Sequence, residues 1–205
     1  MSGPFIIGGQ TTNNGFSVSI TATAAIPAGA MIIVPIATSA IDETLVQVTD
    51  TALNNYQIQI ASQPPGSTTT LFVLYAINSI ALPIGGVITV TMPTREQIIA
   101  GAMYYTGMQG SFTASDVEWF TGTQCSYTVP ASVGDCLLAL MSVNGPQSDG
   151  FTQSPGWGAD LGNGLGNAGY SIHGGAAVAA ANGPVTYAPT LGRAKQSVGM
   201  LLAFR

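Results

Sequence analysis

The chain has 205 residues, of which 46% are hydrophobic and only 6% charged, with a formal net charge of −5. Four Lys/Arg residues cannot build the basic face that phosphate backbones or anionic lipid surfaces require, so nucleic acid and membrane are excluded as partners. The length suits one large β domain or two small ones, and so little charge leaves a free monomer weakly protected against association, as suits a protein that lives in an assembly.

The N-terminal stretch lacks a basic segment and a long apolar core, and no apolar run nears the ~20 residues that span a bilayer. Synthesis in the cytosol is therefore expected. Residues 1–14 read as an arm rich in Gly, Thr and Asn, with one apolar knot at Phe5, Ile6 and Ile7. Such a knot either docks on a neighbouring surface or forms an edge strand of its own domain. Residues 15–205 are expected to form a single β-sandwich domain.

From Phe16 the pattern has period two: Phe16, Val18 and Ile20 alternate with Ser17, Ser19 and Thr21, which predicts a half-buried strand. Pro27-Ala28-Gly29 turns the chain, and Met31–Val34 runs unbroken, as a strand buried on both faces would. Alternation returns at Val46–Thr49 and Tyr56–Ile60, separated by a turn over Asp50–Asn55. Pro64-Pro65-Gly66 breaks the chain; Leu71–Ile77 and Val87–Met92 are further strands. Residues 94–105 carry a competing helix signal, Thr94-x-x-Gln97, which resembles a capping box. Gly101 in mid-segment and Tyr104-Tyr105-Thr106 favour a strand.

Two apolar ribbons, 98–107 and 197–205, share a glycine followed by Met, and each follows a Pro-Thr pair. They read as buried central strands. The Pro-Ala turn at Pro27 and its apolar strand also recur, at Pro130 and Cys136–Leu138. Landmarks in the same order in both halves suggest a degenerate internal duplication. The resulting expectation is an all-β, two-sheet antiparallel β-sandwich, jelly-roll-like, with about eight strands.

Residues 144–183 dissolve into Gly, Asn, Ser and Pro, a loop except for a small-residue strand near 174–181. Gly164-x-Gly166-x-x-Gly169 matches a dinucleotide fingerprint as a string, without the helix and acidic residue that would give it chemistry. His173 is expected on a loop. Asp116 and Glu118 share a strand face as a solvated pair, and Asp149, Asp160 and Asn163 show no recurring calcium-ligand spacing. No cofactor or metal is expected, and no nucleophile, base and orienter assemble an enzyme. Cys125 and Cys136 flank a turn; cytosolic synthesis favours buried thiols over a disulfide. Trp157, set among Pro155, Gly156 and Gly158, is the candidate exposed aromatic, whether as a partner contact or a sugar platform, with a core position as the alternative.

The order and spacing of these landmarks carry a resemblance. They are Ile26–Val34, Val46–Tyr56, Leu71–Ala76, Val87–Thr91, Pro130–Leu138 and the closing Gly199–Phe204. Together they resemble a family of β-sandwich domains frequent in bacteriophage virion proteins and large bacterial surface proteins. The resemblance implies a jelly-roll-like sandwich with a structural or binding role and no catalytic residues. It leads to the expectation of a capsid decoration (cement) protein on the virion surface, made in the host cytoplasm. Its expected partners are the major capsid protein or other virion proteins, and further copies of itself as a dimer or trimer. The alternative is a carbohydrate- or receptor-binding module of a tail fibre or surface protein, with a glycan as ligand. Phe5, Ile6, Ile7 and Trp157 are the candidate partner-binding residues.

Overall fold

The computed structural model describes residues 2–39, 45–108, 112–162 and 165–205. Among them the chain forms thirteen strands and no α-helix. In chain order these are β1 (Ser2–Thr21), β2 (Met31–Ser39), β3 (Gln47–Asp50), β4 (Gln57–Ser62), β5 (Thr69–Ala76), β6 (Val87–Thr106) and β7 (Phe112–Gln124). They continue with β8 (Tyr127–Ala131), β9 (Cys136–Val143), β10 (Phe151–Thr152), β11 (Ser171–Val178), β12 (Gly183–Tyr187) and β13 (Thr190–Phe204). Residues 94–105 are strand, as Gly101 and the aromatic run require.

Two antiparallel sheets pack as a sandwich. The first has the order β1-β6-β2-β5-β4, with β3 also on β6; the second has the order β10-β13-β9-β11, with β7 also on β13. Strands β1 and β6 fold back on themselves together. Residues 17–21 of β1 pair with 87–91 of β6, residues 2–12 pair with 98–106, and the register shifts around Gly15. The first sheet thus has two leaves, which enclose one core built from Ile20, Ile88 and Val90 on one side and Ile32, Val34, Ile36 and Phe72 on the other. The second leaf turns its opposite face to the second sheet, where Met31, Ile33, Met103 and Tyr105 meet Leu138, Leu140, Met200 and Phe204. Beyond the second sheet, β8 and β12 pair as a small outer layer over Leu137, Ala139, Met141 and Leu201.

Four layers explain the apolar ribbons. A strand in an inner layer has both faces covered, so it shows an unbroken run instead of alternation. β2 and β9 are buried along almost their whole length. In β13, Val198, Met200, Leu202 and Phe204 face the first sheet, while Leu201 and Ala203 face the outer layer. The two ribbons are the central strands of facing sheets, and Tyr105 meets Phe204 edge-on at 5.0 Å.

The two halves repeat one pairing order. The order β1-β6-β2-β5 in the first sheet answers to β7-β13-β9-β11 in the second. The isolated bridge Ile26–Leu82 stands where β8 pairs with β12. Pro130 lies inside β8, opposite Pro184, and the turn itself comes after it, at Val133-Gly134.

The boundary expected at residue 14 falls inside β1. Residues 2–14 run along β6, and Ile7 is fully buried in the first core. His173 is likewise no loop residue: it sits on β11 opposite Met141 and is buried. Its neighbours in sequence hid a strand of which half the residues are Gly and Ala. Cys125 and Cys136 are both buried, with no disulfide between them.

Candidate functional site

The chemistry of the chain has to come from few groups, and most of them are already engaged inside the fold. Asp50 ends β3 and accepts four hydrogen bonds: from the Ala52 and Asn54 amides, the Asn54 side chain and the Tyr56 hydroxyl, at 2.9–3.1 Å. Asp116 on β7 accepts the Thr128 amide at 2.7 Å, which ties the second sheet to the outer layer. Asp135 caps the turn before β9 through the Ser132 amide and holds the C-terminal Arg205. Asp149 pairs with Lys195 at 2.8 Å and with Arg193 at 3.5 Å. Each described aspartate is thus a cross-link between segments far apart in the chain or a clamp on a turn.

Asp160 is the one that meets the histidine. Its Oδ1 accepts the Gly162 and Gly174 amides at 3.0 and 2.9 Å, and its Oδ2 lies 2.7 Å from His173 Nδ1. Phe151 stacks on the imidazole at 4.2 Å, nearly parallel. A base with an orienting carboxylate is half of a nucleophilic site. Here His173 is 3% exposed and lines none of the clefts described below, so the pair fastens the 158–162 loop to β11.

Among the candidates for calcium, Asp149 and Asp160 have these separate partners, and Asn163 lies outside the described residues. No group of three His, Cys, Asp or Glu among the described residues could hold a metal. Gly164 also lies outside them; Gly166 and Gly169 sit in a turn closed by Asn167, whose Oδ1 accepts the Gly169 and Tyr170 amides. Glu118 is exposed on β7, opposite Gly199.

A cleft of about 340 Å³ among the described residues opens between the start of β1 and the end of β11. Gly3, Pro4, Leu161, Ala176, Ala177 and Val178 line it together with the ring of Tyr105. Burial pushes the Tyr105 phenol well above its ordinary range. A second, shallower cleft touches Asp135, which Arg205 already occupies. Neither offers a base beside a nucleophile. Burial also raises the Cys125 and Cys136 thiols, which makes them poor nucleophiles.

The four residues singled out for partner binding separate. Phe5 and Ile6 are exposed, at 41% and 47%, and Phe5 stacks on Tyr104 at 4.9 Å. Ile7 is buried in the first core although it is two residues from Phe5, because the pairing register shifts between Ile6 and Gly8 and re-aims the side chain. Trp157 is half-buried: it lies edge-on to Tyr187 at 4.7 Å, and its Nε1 donates to the Thr186 carbonyl. The tryptophan that shows its ring is Trp119 on β7, at 50% exposure, with Nε1 donating to Ser62 of β4 across the edges of the two sheets. Its alternation along β7 could have pointed outward in the sequence, because β7 is patterned as an edge strand.

Compared with known proteins, the chain matches no family model, no curated protein and no solved structure.

Proposed function

We propose that this chain is a structural protein of a bacteriophage virion, a capsid decoration protein that stabilises the shell by binding across neighbouring subunits. The observation that carries the reading is the use of its titratable groups. The described aspartates and the lone histidine are spent on internal clamps, and the 340 Å³ cleft holds no reacting constellation. What remains exposed is polar surface with few charges and a set of apolar side chains, of which Phe5 on the edge strand β1 is the best placed anchor. A body of four stacked layers transmits load without moving, and binding only the assembled lattice stabilises that lattice by mass action. The resemblance in landmark order supports the virion setting.

The test is co-sedimentation of the protein with intact virions. Stoichiometric retention is expected, and it should survive high salt, because an uncharged interface has little to screen. Phe5→Glu should release the protein while leaving its circular dichroism unchanged, since Phe5 is exposed and stacks on Tyr104 from outside. Absence from purified virions, or saturable binding on a glycan array instead, would reject the decoration role.

A further inference from the structure

One end of the first sheet gathers three exposed aliphatic side chains on connections without charge. Three connections meet there: 22–30 between β1 and β2, 51–55 after β3, and 77–86 between β5 and β6. Together they display Leu53 at 84% exposure, Ile84 at 70% and Ile80 at 59%. None of the three contains a charged residue.

These connections are tied into one rigid cap. Asn54 donates to the Ile80 carbonyl at 3.1 Å and accepts the Ile80 amide at 2.6 Å. Gly29 donates to Ser79, Ser79 donates to Ala30, and Ile26 bridges Leu82. The buried Asp50 carboxylate holds the 51–55 turn from within. Leu53 itself stands at φ 63, a left-handed conformation that a leucine adopts only under constraint. A glycine would relieve that backbone and an asparagine would suit water better. The chain instead holds a large aliphatic side chain, strained and outward, at the summit of a rigid turn.

We propose that this cap is a self-association surface, on which a second copy of the chain packs the same three connections. Two features select a second copy as the occupant. First, the cap is neutral in a protein of net charge −5, so it is the end where two copies approach without like-charge repulsion. Secondly, the three connections bring seventeen residues to the surface, close to the roughly 20 that one side of a small standard interface uses. An apolar, uncharged patch is its own complement, which a closed symmetric contact requires. The aliphatic tips are the central anchors, and the Asn, Ser and Thr residues around them form the polar rim.

Sedimentation velocity on the full chain tests this. The wild-type mass should rise above that of a monomer with concentration and be indifferent to salt. Leu53→Ser with Ile84→Ser should weaken association at least roughly tenfold, the effect of removing buried anchors. Leu53→Gly is the discriminating variant: it removes the strain, so its melting temperature should rise while its association falls. A wild type that stays monomeric at the highest soluble concentration overturns the proposal. So does an oligomer whose dissociation constant is the same in all three proteins. The virion test is independent of this one, since a monomer could still decorate a shell.

Discussion

At the scale of single residues, the fold depends on glycines that leave room for another segment's side chain. Gly9 and Gly101 are cross-strand partners on β1 and β6. A Cβ on Gly101 would meet Leu165 at 2.9 Å, and one on Gly9 would meet the same side chain more closely still. Leu165 is therefore a knob from the Gly-rich connection seated in a hole that only two facing glycines can make, beside the cluster of Ala37, Ile99, Tyr170 and Ile172. Leu165→Ala empties the hole and should cost about 2 kcal/mol, the low end for a leucine because the site is half-buried. Gly101→Val fills the hole from below and should expel the connection altogether. Limited proteolysis should then cut within residues 158–169 much faster than in the wild type, whereas cutting at the wild-type rate would show that Leu165 does not anchor the segment. A second lock on the same segment is Asp160. Asp160→Ala strands two amides and the buried His173 at once, and should cost roughly 2–4 kcal/mol in urea unfolding. Asp160→Asn, which keeps an acceptor, should cost less.

At the scale of elements, the central strands repeat the device. Gly199 on β13 lies under the Tyr127 ring of the outer layer: a Cβ there would stand 2.5 Å from the hydroxyl oxygen and 2.9 Å from the Leu140 carbonyl. Gly199→Ala should destabilise by roughly 1–3 kcal/mol, as over-packing does in a dense core. Tyr127→Phe removes the closest atom and should recover part of the loss, a coupling that a double-mutant cycle on chemical unfolding measures. Strict additivity would show that the two residues do not touch. Each Gly-Met ribbon was legible in sequence as a buried central strand, because strands covered on both faces cannot alternate. The Pro-Ala landmarks and the order of the two halves carried the duplication for the same reason: pairing follows order along the chain. What escaped were relations that no local period encodes. Ser171–Val178 is a strand whose glycines leave space for β9, Gln153 and Tyr187, so its composition resembles a loop. His173 finds Asp160 thirteen positions away, across a turn. Phe5 and Ile7 share a parity in sequence, yet one is solvent-facing and the other is core, because the register of β1 on β6 shifts between Ile6 and Gly8. The exposed cap was hidden too: Leu53 and Ile84 are ordinary aliphatics until the fold leaves them with nothing to cover.

At the scale of the whole molecule, the stacking of four layers places phenols where their anions are not tolerated. Burial is the leading cause that raises Tyr56, Tyr105, Tyr127 and Tyr187 above the ordinary tyrosine range. The Asp50 carboxylate adds to it at Tyr56, and Asp160 at Tyr187. These four sit in three different apolar clusters, so their response reports on the assembly of the layers and not on one corner. The sign follows from proton counting. Above about pH 10 the unfolded chain releases these protons while the folded chain retains them, so the native state binds more protons and its stability falls as pH rises. Each group contributes up to about 1.4 kcal/mol per pH unit in that window, so four acting together make alkaline unfolding steep. Of the seven tyrosines, these four should withhold their phenolate absorbance until circular dichroism reports unfolding. Tyr105→Phe separates the causes, because its buried hydroxyl has no hydrogen-bond partner. At neutral pH the variant should be as stable as the wild type or up to about 1 kcal/mol more so. In alkali it should unfold at a higher pH with a shallower slope, one ionisation fewer. If all seven phenols ionise while the dichroism stays native, water reaches the interfaces between the sheets, and the tightly stacked body on which the proposed decoration role depends does not exist in solution.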